Sequence, residues 1–334
     1  MVAFAALVVG LGWHLSGPVY QGPASDHFDG THFVNLRAVP HGGFGAFLRW
    51  QTHRQQGPWQ DRDTAPGPKP ETRVPGLRVT FVNHATVLLQ QDGLNVLTDP
   101  IWSLRASPVS FVGPRRHHPP GLRFEELPPI DAVVLSHNHY DHLDLPTLKR
   151  LQEAHHPRFF CGLGNKALLE QAGLLRVTEL DWWQTVPLTA AVDLIAVPAQ
   201  HFSNRGLFDR DRTLWLGYVL RGPAGLSYFA GDTGAGPHFA QLRKRLGAPR
   251  LAILPIGAYR PEWFMSAVHE SPTQTLEAHH QLEAGTSIAM HFGTFALGDD
   301  GQDEAPRALE EAVARDPSHP RFRVLGVGES LEVP

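Results

Sequence analysis

From residue 76 onward the chain alternates short apolar runs with polar, glycine-marked breaks. LRVTFVN (77–83), TVLLQ (86–90) and LNVLTD (94–99) read as strands, with QDG (91–93) as a hairpin turn between the last two. AVVLS (132–136), VDLIAVP (192–198), LWLGYVL (214–220), LSYFAG (226–231), LAILPI (251–256) and SIAMH (287–291) continue the series. Helical spacing appears instead in HFAQLRKRL (238–246) and TQTLEAHHQLEA (273–284). A further helix is expected behind Asp144, which stands where an N-cap belongs, with Pro146 in the first turn and Leu148 and Leu151 at helical spacing. Strands outnumber helices, yet helices recur between them. The pattern predicts an α/β layered fold with two sheets rather than an all-β barrel.

Residues 17–75 are punctuated by Gly and Pro (GPVYQGP, HGGFG, DTAPGPKPETRVPG) and read as an irregular arm ahead of a domain spanning 76–334. Within the arm, FGAFLRW predicts a short helix docked on the core, with an interfacial membrane contact as the alternative. Residues 1–16 are apolar from Val2 to Trp13, shorter than the roughly 20 residues of a spanning helix, and the first basic residue is Arg37. Three readings stand for this segment: an export signal, a membrane anchor that starts further upstream, or a buried helix. Localisation is accordingly expected at a membrane, by export or anchoring, with the cytoplasm left open.

Composition narrows the chemistry. Of 334 residues, 42% are hydrophobic and 19% charged, enough for a sizeable core. The net charge of −4, without a long basic block, argues against a nucleic-acid partner. A single cysteine, Cys161, excludes a disulfide framework and thiolate-rich zinc sites. Any metal site must therefore use nitrogen and oxygen, and 20 histidines are available.

Those donors are not spread evenly. LSHNHYDHLD (135–144) places His137, His139, Asp141 and His142 directly after an apolar run. An i, i+2 histidine pair does not share a helix face, but alternate side chains of an extended segment point the same way. His137 and His139 can thus reach one ion while Asp141 and His142 turn toward another. Three further apolar runs end at His201, Asp232 and His291. Each of these alone reads equally as a core histidine or a turn aspartate; four strand ends together point to a site. Seven donors exceed the four that one zinc takes and suit two ions sharing a carboxylate. His137, His139 and His201 form one set, Asp141, His142 and His291 the other, with Asp232 between. Two Zn²⁺ ions are the first expectation, and iron or manganese would also be accepted.

SHNHYDH followed by the later His, Asp and His resembles the HxHxDH pattern of the metallo-β-lactamase superfamily. FVNHATVLLQ, GLNVLTDPIWSLRASP, VGPRRHHPPG, VPAQHF, FAGDTG, LPIGAYRPEWFM and MHFGTFAL carry a closer likeness to N-acylphosphatidylethanolamine-hydrolysing phospholipase D and its bacterial relatives. The resemblance implies a four-layer αββα sandwich with a dinuclear site at one edge of the sheets. It implies supporting roles beside the metals for His84 and Asp99, a catalytic role for His269 and for Asp141 beyond coordination, and a substrate contact for Tyr259. Asn83 and Ser271 depart from the family pattern, where glycine and a more polar Asn or Asp are usual.

The resulting expectation is a zinc-dependent phosphodiesterase that cleaves N-acylphosphatidylethanolamine to N-acylethanolamine and phosphatidate. Its partners would be the phospholipid and a membrane surface; the oligomeric state is left open, a homodimer included. His269 would protonate the leaving group, or else be a surface histidine. Aromatic residues of the arm and Trp182–Trp183 would line an acyl groove, or else be packing. The rival enzyme reading is a hydrolase of a soluble ester, lactone or phosphodiester on the same centre. A non-catalytic metal-binding or membrane-tethered protein is the reading outside enzymes.

Overall fold

The computed structural model describes Gly12, residues 15–38 and residues 43–334. The apolar segment 1–16 therefore lies, but for Gly12, Leu15 and Ser16, outside the described residues. Two seven-stranded sheets make up the body. The first holds β1 (Leu77–Asn83), β2 (Thr86–Gln91), β3 (Leu94–Thr98), β4 (Ala132–Leu135), β5 (Arg158–Gly162) and β6 (Val177–Leu180) in sequence order, with the last strand β14 (Ser330–Glu332) on the outer side of β1. The second holds β7 (Thr185–Pro187), β8 (Asp193–Val197), β9 (Gly217–Gly222), β10 (Gly225–Phe229), β11 (Leu251–Pro255), β12 (Thr286–Met290) and β13 (Phe322–Arg323), again in order. In each sheet an antiparallel stretch gives way to a parallel one, at β3–β4 and at β10–β11.

Parallel neighbours need crossovers, and helices supply most of them. α2 (Leu145–His155) and α3 (Lys166–Gln171) connect the parallel strands of the first sheet. α4 (His238–Leu246), α5 (Glu262–Met265), α6 (Pro272–Leu282) and α7 (Glu304–Arg315) serve the second. Alternation along β2 shows the layering. Val87 and Leu89 enter the core shared with the second sheet, whereas Leu88 joins Leu148, Leu151 and Leu169 under α2 and α3. The architecture is the expected helix–sheet–sheet–helix sandwich.

The hairpin turn falls where predicted: Asp92 and Gly93 both have positive φ, 51° and 79°, as a tight two-residue turn requires. α6 starts at a capping box in which Ser271 Oγ accepts from the Gln274 amide while Gln274 Oε1 accepts from the Ser271 amide. Asp144 does precede α2, but its carboxylate is spent on Thr147 Oγ1 and on the amide and hydroxyl of Ser103. The run 214–220 becomes a strand only from Gly217. Before that the backbone bonds across the molecule, Leu214 N to Leu163 O and Leu216 N to Ser136 O, stitching the two sheets together.

The arm packs on the sandwich. α1 (Phe44–Thr52) is the short helix expected there; it buries Trp50, whose Nε1 donates to Asp299, and leaves Phe47 and Leu48 exposed. Further along, Trp59 Nε1 donates to Asp300 O and Arg62 pairs with Asp303. Trp182 and Trp183 are packing residues: Trp182 stacks on His27 at 4.2 Å and Trp183 lies under the Arg245 guanidinium.

Candidate metal centre

Six strands deliver polar side chains to one end of the sandwich. His84 follows β1, Asp99 follows β3, residues 137–142 follow β4, and His201, Asp232 and His291 follow β8, β10 and β12. His84, Asp99 and His291 all hold positive φ (48°, 35° and 61°), a backbone region that ordinary residues adopt rarely and that concentrates at functional sites. Gly231 is needed beside Asp232, because a Cβ there would lie 2.5 Å from Ser136 Cβ.

The 137–142 loop is pinned from two sides. Asp99 accepts the Ser136 amide and hydroxyl at 2.7 and 2.5 Å. Arg205 donates from Nη1 to the carbonyls of Asn138 (2.7 Å) and Leu143 (3.1 Å), and its guanidinium lies 4.0 Å from the Tyr140 ring. A single turn, closed by Leu143 N to His139 O, then brings Asp141 to His84 and His142 to Asp99.

The seven predicted donors come together. His137 Nε2 and His139 Nδ1 approach to 2.7 Å, and His201 Nε2 lies 3.4 Å from the same Nδ1. Asp141 Oδ2 is 3.2 Å from His142 Nε2 and 3.4 Å from His291 Nε2. Asp232 Oδ2 stands between the sets, 3.2 Å from His142, 3.0 Å from His291 and 3.9 Å from His201. Hydrogen bonds at the far ring nitrogens fix which atom faces inward. His142 Nδ1 donates to Asp99 at 2.7 Å, His201 Nδ1 donates to Val268 O at 2.9 Å, and His137 Nδ1 lies 2.9 Å from Ser136 Oγ. His84 Nε2 donates to Asp141 at 2.8 Å. Asp99 and His84 thus sit behind the candidate donors.

This donor set fits two cations. His142 Nε2, His291 Nε2 and Asp232 Oδ1 are buried without a hydrogen-bonding partner in the protein, a costly arrangement unless something else satisfies them. Burial drives His139 and His201 down to about 3, and drives His137 well below the ordinary imidazole range, so burial favours the uncharged form that metal ligation requires. Burial also opposes charge on His142 and His291, but the adjoining carboxylates overturn it. Asp232 and Asp141 hold His142 well above its usual range and His291 at about 9. The same contacts hold both carboxyls far below theirs against the pull of burial. A cation bound by this second set would have to displace the protons that the carboxylates favour on His142 and His291.

The centre opens into a cavity of about 630 Å³. His139, Asp141, Asp232, His269 and His291 form its polar end; Phe47, Trp50, Phe202, Leu207, Phe264 and Leu297 form its walls, with Arg210 beside them. His269 is no surface residue: it is mostly buried, its Nδ1 lies 3.9 Å from Asp232 Oδ2, and burial lowers it to about 3. Tyr259 corrects the expectation for it. It packs in the core and donates its hydroxyl to Glu304, while its neighbour Ala258 lines the cavity. Phe47 and Trp50 show that the arm's aromatics do reach the cavity. Arg205, Phe202 and Arg210 went unmarked in the sequence, although NRGLFDR directly follows the His201 motif with a basic and apolar mixture suited to a wall.

A family model described as the beta-lactamase superfamily domain matches residues 94–292. The chain is also similar to the N-acyl-phosphatidylethanolamine-hydrolyzing phospholipase D 1 of Caenorhabditis elegans, 40% identical over 233 residues, which cover 67% of this chain and 65% of that protein. The chain belongs to the metallo-β-lactamase superfamily. An uncharacterized protein of Mycobacterium tuberculosis is 40% identical over 261 residues, 77% of this chain and 68% of its own length. Among solved structures, Igni18, a metallo hydrolase of Ignicoccus hospitalis, aligns at a TM-score of 0.57 and 21% identity over 76% of this chain and 97% of its own; that likeness speaks to the fold. His137–His142 is this chain's copy of the superfamily's HxHxDH pattern, and the comparisons leave the identity of the metal open. The arm, residues 17–75, lies outside the family match, as do β1 and β2.

Proposed function

We propose that the chain is a dinuclear metal-dependent phosphodiesterase of the phospholipase D type, releasing N-acylethanolamine and phosphatidate from N-acylphosphatidylethanolamine. The observation that carries the reading is the apolar cavity ending on the paired donor set. Its volume lies within the roughly 300–1,000 Å³ usual for ligand pockets, and its walls suit hydrocarbon while its floor suits a phosphate. The similarity to the worm phospholipase D supports the same substrate class.

The cavity's exposed apolar lining also suits a lipid surface. Leu207 and Phe47 both line the cavity and are exposed, as are their chain neighbours Phe208 and Leu48. Arg210, with its guanidinium 4.3 Å from the Phe202 ring, adds a cation at the cavity wall. Apolar side chains interleaved with cations are the composition of an interfacial contact. Membrane association through this rim is part of the reading; among the described residues no helix is long and apolar enough to cross a membrane.

The metals would be held by His137, His139 and His201, and by Asp141, His142 and His291, with Asp232 common to both. Zinc is the first choice for this nitrogen-rich set. When bound, the pair supplies Lewis acidity toward phosphate oxygens and a hydroxide at neutral pH. The chain's own residues do the rest. Asp99 and Val268 O lock the His142 and His201 tautomers, and His84 orients Asp141 by its hydrogen bond. His269 faces the cavity as a neutral imidazole whose N–H is available to the departing oxygen. The apolar walls keep bulk water from the ester. Overall, water adds to phosphorus, the P–O bond to the N-acylethanolamine breaks, and that oxygen leaves protonated.

The test is turnover of detergent-dispersed N-acylphosphatidylethanolamine by purified, metal-loaded protein, with mass-spectrometric detection of N-acylethanolamine. Release is expected. No release beside rapid cleavage of soluble bis(p-nitrophenyl) phosphate or a lactone would transfer the assignment to a soluble-substrate hydrolase.

A further inference from the structure

Asn35 lies in the irregular arm, outside the family match and 166 residues from His201. Its side-chain amide nevertheless grips the His201 main chain on both sides. Asn35 Nδ2 donates to His201 O at 2.8 Å, and Asn35 Oδ1 accepts from His201 N at 3.0 Å. Trp215 Nε1, buried, donates to the same Oδ1 at 2.8 Å. The partners are a backbone carbonyl on one side and two N–H donors on the other, so only one orientation of the amide satisfies them.

We infer that Asn35 is a positioning residue for the metal centre, setting the backbone from which His201 projects. His201 follows β8 by four positions, beyond the ladder that would hold a strand residue in register. Asn35 replaces that ladder with a two-point contact, as a neighbouring strand would. The adjoining residues are tethered likewise: Gln200 Nε2 donates to Arg37 O, and its amide donates to Thr233 Oγ1, one residue beyond Asp232. With His201 Nδ1 fixed on Val268 O, the Asn35 contact settles the remaining freedom of the ring's attachment. The arm is thereby a working part of the site rather than a leader to it. The inference rests on His201 being a metal donor.

The experiment compares wild type, Asn35→Ala and Val79→Ala in the full chain loaded with Co²⁺. Val79 is fully buried in β1, so its truncation costs stability without touching the site. Metal content is measured after equilibration with graded chelator, together with the visible Co²⁺ spectrum and the melting temperature. Asn35→Ala is expected to weaken one of the two ions about tenfold or more, the scale of losses when a ligand's supporting contacts go, and to change the spectrum. Val79→Ala is expected to lower the melting temperature and leave ion content and spectrum as in wild type. Should Asn35→Ala fail to fold, Trp215→Phe, which removes one of the two donors to the Asn35 oxygen, must shift the spectrum in the same sense. Two ions held by Asn35→Ala with wild-type affinity and spectrum would overturn the inference while leaving the metal centre intact. A wild type that binds no ion would overturn the underlying reading instead.

Discussion

Asp99→Asn exchanges one carboxylate oxygen for an NH₂ group and tests the tautomer logic of the site. Asp99 is fully buried and receives three donors: the Ser136 amide on Oδ1, and the Ser136 hydroxyl and His142 Nδ1–H on Oδ2. Asparagine can keep the first contact with its carbonyl oxygen. Its NH₂ then meets two groups that were donating. The hydroxyl can rotate, but His142 must either leave a donor facing a donor or move its proton to Nε2. In the second case the nitrogen that faces Asp141 and Asp232 loses its lone pair. Losses of about 10–100-fold in metal affinity are usual when such a partner is changed, or about 1.4–2.8 kcal/mol. The loss should fall on the ion proposed for the His142 set, with the His137–His139–His201 set less affected. Metal-to-protein ratio against graded chelator reads it directly: one ion should leave Asp99→Asn at concentrations where wild type retains two. Equal retention by variant and wild type would refute the reasoning.

Asp232→Asn removes the carboxylate proposed to serve both ions and should reduce hydrolysis by about 100-fold or more with loss of one ion; full activity with two ions would disprove that role. Phe81→Ala empties a fully buried position stacked 5.0 Å from Phe292, and should cost about 3–5 kcal/mol, read as a lower urea midpoint at unchanged slope. His27 sits between Asp26 (2.6 Å) and Asp181 (2.7 Å); burial opposes its charge, but the two carboxylates outweigh it and raise its pKa. Its stabilising effect is therefore complete below the unfolded value of about 6.5 and is lost as pH rises through the raised folded value. Melting temperatures across that window should converge for wild type and His27→Gln toward alkaline pH; a constant difference would contradict the assignment.

Much of this was legible in the residues. Long apolar runs marked β1–β4, β8 and β10–β12 because each is buried on one or both faces. β6 and β7 escaped notice, being short and partly exposed, so no apolar pattern is imposed on them. The seven donors were readable because each follows such a run, and the strand ends converge by topology. Tyr259 was misjudged as a substrate contact because an aromatic after a strand looks the same whether it faces a cavity or the core. Trp182–Trp183 left both readings open for the same reason, and the structure settled on packing. Asn35 carried no signal at all: its partners at His201 are main-chain atoms 166 residues away, and backbone offers nothing for a sequence pattern to match.

The seam between the sheets has a further consequence. His137, His139, Asp141 and His142 stand on the first sheet, and His201, Asp232 and His291 on the second, so each proposed ion takes donors from both. Neither sheet alone carries a complete coordination shell. The ions would then act as rivets through the joint, captured only after the two slabs have docked and resisting any shear that slides one slab past the other.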